Sequence, residues 1–291
     1  MGWRIISISS LCKLDYKMEY LVVRSRDETT RIHMSELSVL ILESTAVSLT
    51  AYLLRELERN KVEVLFCDET RAPYAMLASL YGSHDTALRY RQQIEWAQAA
   101  KESVWAEIIR RKISGQIAML PVERRLEREL LQSYVPQVLP GDSTNREGHA
   151  SKVYFNALFG KHFSREADTP VNAALNYGYS LFLSAVAREI AAAGYCTQLG
   201  IHHNNRFNRL NLASDLMEPF RPYIDEAVRD FLPTEFERGE RLRLIAVLNR
   251  KVLLNGHSQY MLSAVRLYVQ SVFAALENAQ PELISFPEYE Q

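Results

Sequence analysis

The sequence predicts an α+β fold that is mainly α, with a small N-terminal β domain followed by a larger α-helical domain. Its 291 residues, 47% of them hydrophobic, make more chain than one small domain needs. Short stretches rich in Ile, Val and Leu, separated by polar turns, fill residues 3–67. From about residue 84, apolar residues recur with the period of helices. We therefore expect a β domain at 1–75, a linker at 76–85 and a helical domain at 86–291.

The N-terminal part alternates strand-like stretches with one helix. The expected strands are WRIISIS, YLVVRS, TTRIHM, VLILES and KVEVLFC. The helix is indicated by Leu49, Leu53, Leu54 and Leu57, which recur at helical spacing before the last of these strands.

The helical part contains one segment with clear start and stop signals. Thr169 can cap its first turn, Pro170 suits the first helical position, and Gly194 can close its end. Its apolar stripe consists of Leu175, Tyr179, Phe182, Val186 and Ile190, and its small residues are Ala174, Gly178 and Ala185. The expected helices span 86–113, 120–134, 147–159, 170–193, 210–231, 238–254 and 257–279. The segment 170–193 is therefore expected to be a closely packed core helix.

Composition excludes several classes of protein. With 11 glycines and 10 prolines the chain is neither low-complexity nor collagenous, and its 3 separated cysteines suit neither a disulfide framework nor structural zinc. The amino end lacks the pattern of a secretory signal, and the longest apolar stretch, 171–193, contains charged residues that a membrane span would rarely carry. A cytoplasmic protein without a membrane span is expected. A net charge of -1 means that binding of a polyanion would need local patches, for which 26 arginines are available.

Three segments of the helical part carry unusual polar residues. In NREGHASKVYFNALFG, preceded by Ser143 and Thr144, any of Ser143, Thr144 or Asn145 can cap a helix with Glu147 in its first turn. The helix dipole alone also favours a glutamate there. The loop LGIHHNNRFNRLNL holds His202 and His203, and it could bind a metal or phosphate or be an ordinary solvated loop.

The third segment is NLASDLMEPFRP. Helical spacing places Asp215 and Glu218 on one face, and Pro219 breaks the helix immediately afterwards. An exposed acidic turn would show the same pattern. One histidine with two or three carboxylates is nevertheless the ligand set expected for Mg²⁺ or Mn²⁺, which suits phosphodiester chemistry without a protein nucleophile. A tyrosine nucleophile is an open alternative among the 15 tyrosines.

These three segments, together with NAALNYGYSLFLSAVAREIAAAGY, resemble the signature blocks of the CRISPR-associated adaptation integrases, the Cas1 family. GWRIISI, HMSELSVLILEST and VEVLFCDETRAP at the start resemble the branch found in type II systems. The resemblance covers nearly the whole chain, and it implies the same order of a small β domain and a larger α-helical catalytic domain.

The resemblance also implies roles for particular residues. The family's metal ligands correspond to Glu147, His203 and Glu218, with Asp215 as a secondary acidic position. His203 follows Gly200 at the family spacing, and its neighbour His202 is the alternative. The candidate DNA-contacting residues are Arg146, Lys152, Arg206, Arg209 and Arg221.

The implied activity is that of a metal-dependent DNA integrase and endonuclease that inserts captured foreign DNA into a CRISPR array. The implied partners are double-stranded DNA, a second copy of the chain and a Cas2 dimer. Two homodimers of the chain would flank the Cas2 dimer, which gives a heterohexamer. In type II systems Cas9 and an accessory DNA-binding protein also take part. The alternatives are a stand-alone structure-selective nuclease and a catalytically silent DNA-binding assembly subunit.

Overall fold

The computed structural model describes residue 2, residues 4–77 and residues 84–289. The chain divides into two compact units, Met1–Gly82 and Ser83–Gln291. Residues 78–83 of the expected linker lie outside the described residues. The first unit is a β-rich unit and the second is mainly helical, so the predicted α+β fold class is confirmed.

The described part of the N-terminal unit folds into two sheets and one helix. Its elements are β1 (Arg4–Ile8), β2 (Cys12–Lys17), β3 (Tyr20–Arg24), β4 (Thr29–His33), β5 (Leu37–Leu42), β6 (Val47–Leu49), α1 (Ala51–Arg59), β7 (Glu63–Cys67) and β8 (Pro73–Met76). One sheet has the order β1-β5-β7-β8, parallel except for β8. The other has the order β4-β3-β2-β6, antiparallel except for β6.

The burial of each strand explains whether it could be recognised in the sequence. Every residue of β5 is buried, which gives the continuous apolar run LSVLIL. In β2, by contrast, Cys12 and Leu14 face the core while Lys13 and Lys17 point outward. The alternating charges of β2 concealed it from a search for apolar runs. Helix α1 was predicted, and the Thr50 hydroxyl caps it by accepting a hydrogen bond from Leu53 N at 3.2 Å.

The described part of the C-terminal unit is a bundle of helices with one β-hairpin. Its elements are α2 (Thr86–Glu95), α3 (Gln98–Met119), α4 (Arg125–Tyr134), α5 (Arg146–Phe159), α6 (Pro170–Ala192), α7 (Asn211–Leu216), α8 (Arg221–Phe231), α9 (Arg238–Val247), β9 (Lys251–Leu254), β10 (His257–Tyr260) and α10 (Met261–Asn278). Helix α3 packs against α4, α5, α8 and α10, and α6 packs against α7, α8, α9 and α10. No helix in residues 4–77 or 84–289 combines the length and apolar character needed to cross a bilayer.

Helix α6 has the features predicted for it. The Thr169 hydroxyl accepts a hydrogen bond from Asn172 N at 3.2 Å, and all five residues of the predicted stripe are buried. Gly178 allows the close approach of α8, because a Cβ at this position would overlap the side chain of Ile224.

Some helix predictions were wrong. The expected helix 86–113 is interrupted at Trp96, whose extended ψ of 123° separates α2 from α3 and whose ring packs against Tyr195 and Phe273. The expected helix 257–279 begins only at Met261. The expected helix 238–254 ends at Val247. Residues 251–260 instead form a hairpin, whose turn places Asn255 at φ 52° and Gly256 at φ 75°.

The last described residues pack on α3 next to the predicted site. The Tyr289 hydroxyl donates to the carbonyl of Pro219, and the Arg111 guanidinium lies 4.5 Å from the Tyr289 ring centre. Gly115 makes room for that ring, since a Cβ there would overlap it. The segment ending at Tyr289 therefore braces the turn that contains Glu218.

Candidate active site

Glu147 stands in the first turn of α5, and Asp142 fixes that turn. Asp142 Oδ1 accepts a hydrogen bond from Arg146 N at 2.9 Å, and its Oδ2 accepts one from Glu147 N at 3.0 Å. Asn145 occupies the cap position in a left-handed conformation but makes no capping hydrogen bond. The capping side chain therefore comes from Asp142, and the prediction of Ser143, Thr144 or Asn145 was wrong.

His203 lies in a loop that is organised around Asp215. The fully buried Asp215 carboxylate accepts hydrogen bonds from the backbone N–H groups of Ile201, His202 and His203 at 2.7, 3.0 and 3.0 Å. Its Oδ1 also lies 2.5 Å from Nδ1 of His203. The Nδ1–H therefore donates to Asp215, which leaves Nε2 as the nitrogen with a free lone pair.

Gly200 is required by the crowding of this loop. A Cβ at Gly200 would overlap the carbonyl oxygen of His203 and approach Asp215 Oδ2 to 2.7 Å. The spacing of a glycine three residues before the histidine thus has a packing cause: the loop closes tightly on its own buried carboxylate.

The two adjacent histidines have different surroundings. The ring of His202 stacks on the buried ring of Trp105, with centroids 4.2 Å apart and planes 6° apart. His203 meets Trp105 edge-on and faces the cavity that also contains Glu147 and Glu218. The geometry thus favours His203 over His202 as the ligand candidate.

Glu218 is held in a short 3-10 turn between α7 and α8. Its side chain is buried, and its Oε1 accepts a hydrogen bond from Arg221 Nε at 2.8 Å. Its Oε2 lies 2.6 Å from Lys112 Nζ but is not aligned for a hydrogen bond with it. The helix is interrupted here as predicted, but the interruption begins before Glu218: α7 ends at Leu216, and the turn Glu218–Phe220 leads into α8.

A cavity of about 240 Å³ brings Glu147, His203 and Glu218 together from three separate segments. Its wall also includes Lys112, Gln116, Arg165, Tyr179, Arg221 and Asp225. Lys112 Nζ lies 2.6 Å from Glu147 Oε1 as well as 2.6 Å from Glu218 Oε2, so its ammonium bridges the two carboxylates.

The ionisation of these groups follows from their neighbours. Burial opposes the charge of Glu218, yet Arg221 and Lys112 together hold its pKa below the ordinary value. Burial likewise opposes the charge of Lys112, but Glu218 and Glu147 raise its pKa. The hydrogen bond to Asp215, aided by the charges of Asp215, Glu218 and Glu147, raises the pKa of His203 despite its partial burial.

The donor set of the cavity fits a hard divalent cation. The carboxyl groups of Glu147, Glu218 and Asp225 and the imidazole of His203 line it, and the buried Oε2 of Glu218 lacks an aligned hydrogen bond. Within the described ranges, no group of three Asp, Glu, His or Cys side chains is close enough together in this conformation to hold a metal ion. Instead, the ammonium of Lys112 contacts both glutamates.

Asp215 occupies a supporting position. Both of its oxygens already accept hydrogen bonds from the loop, and it has no exposed surface. Of the two roles considered for it, the structure favours orientation of His203 over direct contact with a cation.

The candidate phosphate-contacting residues are scattered. Lys152, Arg206 and Arg209 are exposed, and the Arg206 guanidinium lies 4.7 Å from the ring centre of the exposed Phe207. Arg146 lies beside Glu147 with its guanidinium over the Tyr134 ring. Arg221 is the one of these five that lines the described cavity, where its Nε is engaged by Glu218.

Several residues of the cavity were not predicted. Lys112 and Gln116 come from α3, and Arg165 projects from the connection before α6, where Asn172 and Asn176 hold it through their amide oxygens at 2.6 and 2.7 Å. A lysine among the isoleucines of IIRRKIS was a signal of a buried charge, but its partners are 35 and 106 residues away along the chain.

The chain is similar to known proteins over nearly its full length. The family model described as CRISPR associated protein Cas1 matches residues 6–238. The CRISPR-associated endonuclease Cas1 of Neisseria meningitidis serogroup C is 30% identical over 294 residues, covering 99% of this chain and 97% of the relative.

Two solved structures share the fold at low sequence identity. A chain of a Cas6-RT-Cas1–Cas2 complex aligns with a TM-score of 0.72 and 18% identity, over all of this chain and 36% of that one. A casposase bound to an integration product aligns with a TM-score of 0.69 and 16% identity, over 96% of this chain and 91% of the other. The family match and the full-length relative together establish that this chain belongs to the CRISPR-associated Cas1 family.

Proposed function

We propose that this chain is a metal-dependent DNA integrase and endonuclease that inserts captured foreign DNA into a CRISPR array. The observation that carries the proposal is the meeting of Glu147, His203 and Glu218 in one polar cavity. The endonuclease name of the Neisseria meningitidis relative and the integration product bound to the casposase support the same chemistry.

In the proposed reaction, a 3′-hydroxyl of the captured DNA attacks a phosphodiester at the boundary of a repeat. The hydroxyl gives its proton to water, a new P–O bond forms, the bond to the leaving 3′-oxygen breaks, and that oxygen takes up a proton to become a 3′-hydroxyl. Because one phosphodiester replaces another, no ATP is consumed. A Mg²⁺ or Mn²⁺ ion held by Glu147, Glu218 and Nε2 of His203 would neutralise charge on the phosphate and lower the pKa of an oxygen bound to it.

The residues of the chain prepare the site for this step. Arg221 keeps Glu218 ionised although it is buried, and Asp215 fixes the ring of His203 with Nε2 available. Arg165 contributes a cation whose terminal nitrogens contact the neutral side chains of Asn172 and Asn176. It is thus suited to a phosphate oxygen.

The proposed assembly follows the family. We propose a homodimer that binds duplex DNA together with a Cas2 partner, because the Cas6-RT-Cas1–Cas2 complex, one chain of which shares this fold, contains Cas2. We also propose a place in the type II branch, with Cas9 and an accessory DNA-binding protein as further participants, on the basis of the N-terminal segments that resemble that branch.

The test is a strand-joining assay on a supercoiled plasmid carrying a repeat array, with Cas2, short duplexes and either Mg²⁺, Mn²⁺ or chelator. We expect Glu147→Ala, His203→Ala and Glu218→Ala each to reduce joining at least about 100-fold, because each removes a ligand of an ion that acts in the transition state. Dimerisation and duplex binding should persist, and the exposed Glu166→Ala serves as the matched control.

Two outcomes would favour the alternatives. Full joining by the Glu147 and Glu218 variants would indicate a silent assembly subunit. Cleavage of branched DNA without joining, in the presence of Cas2, would indicate a stand-alone nuclease.

A further inference from the structure

Lys112 is the least expected residue of the cavity. It extends from the middle of α3, its side chain is 8% exposed, and its ammonium contacts both Glu147 and Glu218 at 2.6 Å. A buried ammonium is costly unless it is paired, and here the two carboxylates that pair with it are the same two that would hold a divalent cation.

The position of the ammonium conflicts with a bound ion. Because Arg221 engages Oε1 of Glu218, an ion would use Oε2, which the ammonium now contacts, and the two positive charges would repel each other at contact distance. A bound ion therefore requires the ammonium to move away.

Gln116 provides a hydrogen-bond acceptor for a displaced ammonium. It lies one turn after Lys112 on the same face of α3, lines the same cavity, and is 2% exposed. Its Oε1 is buried and has no hydrogen-bond partner among the residues that the structure describes. An unpaired acceptor that lines the same cavity is the partner that a displaced ammonium would need.

We propose that Lys112 is a displaceable internal counter-cation: it bridges Glu147 and Glu218 in the metal-free protein, and a divalent ion displaces it toward Gln116. This inference rests on the proposed metal-dependent function. The ammonium keeps the two glutamates charged and in place before the ion arrives. When the ion binds, it takes the place of the ammonium between the two carboxylates, and the ammonium stays at the wall of the cavity. The positive charge of the cavity therefore increases, and so does its attraction for a phosphodiester.

The first experiment measures Mn²⁺ binding to the full-length protein without DNA, by calorimetry and by loss of the free Mn²⁺ signal in electron paramagnetic resonance. We expect Lys112→Met to bind Mn²⁺ at least about tenfold more tightly than the wild type, because the competing cation is gone. Lys101→Met, the same substitution on the same helix, is the matched control and should leave the affinity unchanged. Gln116→Leu should weaken binding severalfold, since the displaced ammonium loses its partner.

The second experiment follows Lys112 in the wild-type protein and does not depend on the folding of a variant. Amine acetylation read by mass spectrometry should rise at Lys112 by about threefold or more when Mn²⁺ is added, because the amine is no longer held between the two carboxylates. The exposed Lys161 and Lys251 should react equally with and without Mn²⁺.

The outcomes separate the inference from the function on which it rests. Equal or weaker Mn²⁺ binding by Lys112→Met, or unchanged labelling of Lys112, overturns the displacement while leaving the metal site intact. Failure of both the wild type and Lys112→Met to bind Mn²⁺ overturns the metal site and the displacement together. A Glu218→Gln variant shows whether Mn²⁺ binds in this cavity, because binding there requires that this variant have a lower affinity for Mn²⁺ than the wild type.

Discussion

At the scale of single residues, Asp215 shows how one carboxylate can organise a site without entering it. Its two oxygens accept three backbone N–H groups and the Nδ1–H of His203. The position of the imidazole is therefore set by the same group that closes the loop around it. Loss of this carboxylate would disturb the backbone and the ligand candidate together.

We expect Asp215→Asn to destabilise the protein by about 2–4 kcal/mol, because one amide N–H₂ must then face backbone donors in a buried place. Urea unfolding measures this loss. In the same variant, titration of His203 by NMR in chelator should show a lower pKa than in the wild type, where the hydrogen bond to Asp215 raises it. An unchanged titration would contradict the orienting role of Asp215.

Asp225 provides a prediction for pH. Burial raises its pKa from 3.8 to about 6, although Tyr179 donates a hydrogen bond to it and Arg221 lies near. A carboxyl with a raised pKa in the folded state adds stability below its unfolded pKa, and that stability is lost as the pH rises through the folded value. Relative to Asp225→Asn, the wild type should therefore lose up to about 3 kcal/mol between about pH 4 and pH 7. Urea unfolding in chelator across this range checks it, and a pH-independent difference would contradict it.

At the scale of elements, α3 is the helix that joins the parts of the site. Trp105 stacks on His202, Lys112 bridges the two glutamates, and Gly115 accepts the ring of Tyr289, which in turn braces Pro219. These contacts come from one rigid element, so a change on one face of α3 is felt at several points of the cavity.

Gly115→Ala tests the bracing directly. The added methyl group would overlap the Tyr289 ring, so we expect a loss of about 1–3 kcal/mol in unfolding free energy and faster proteolysis near the displaced segment. Gly239→Ala in α9 is the matched control, because nothing lies within 4 Å of its Cβ position and alanine favours the helix. Equal effects of the two substitutions would mean that Tyr289 is not packed against α3 in solution.

Some elements could be predicted from sequence and others could not, for identifiable reasons. Helix α6 has a cap, a proline start and a continuous stripe, and all of these are local signals. The hairpin at 251–260 also had a local signal, the Asn255-Gly256 pair, but the apolar residues around it suggested a helix. The candidate ligands Glu147, His203 and Glu218 were suggested by family resemblance. Lys112 was missed because its partners Glu147 and Glu218 are brought near only by the fold. Asp142 was missed although its partners are four and five residues away, because it lies before the expected cap position Asn145.

At the scale of the whole molecule, DNA binding must come from local charge. The net charge is -1, so the chain has no overall positive field, and exposed arginines such as Arg206 must supply the contacts. Phosphate contacts position DNA without reading its sequence, so specificity for a repeat should depend on DNA shape and on partner proteins.

We expect Arg206→Ala to weaken binding of unrelated duplexes to similar extents and to reduce the slope of log affinity against log salt by about one unit. Arg243→Ala is the matched control, because Arg243 also packs on an aromatic ring, that of Phe231, but lies in α9 rather than in the loop that contains His203. Fluorescence anisotropy at several salt concentrations measures both. Equal slopes for Arg206→Ala and the wild type, or a loss confined to one DNA sequence, would show that Arg206 does not contact phosphate.

The role of α3 also limits how the length of the chain can change. Inserting one residue between Trp105 and Lys112 would rotate everything after it by about 100° around the helix axis. Trp105 would keep its stack with His202, while Lys112, Gly115 and Gln116 would turn away from their partners. Single substitutions on the exposed side of α3 should thus disturb the site less than any insertion or deletion within the helix.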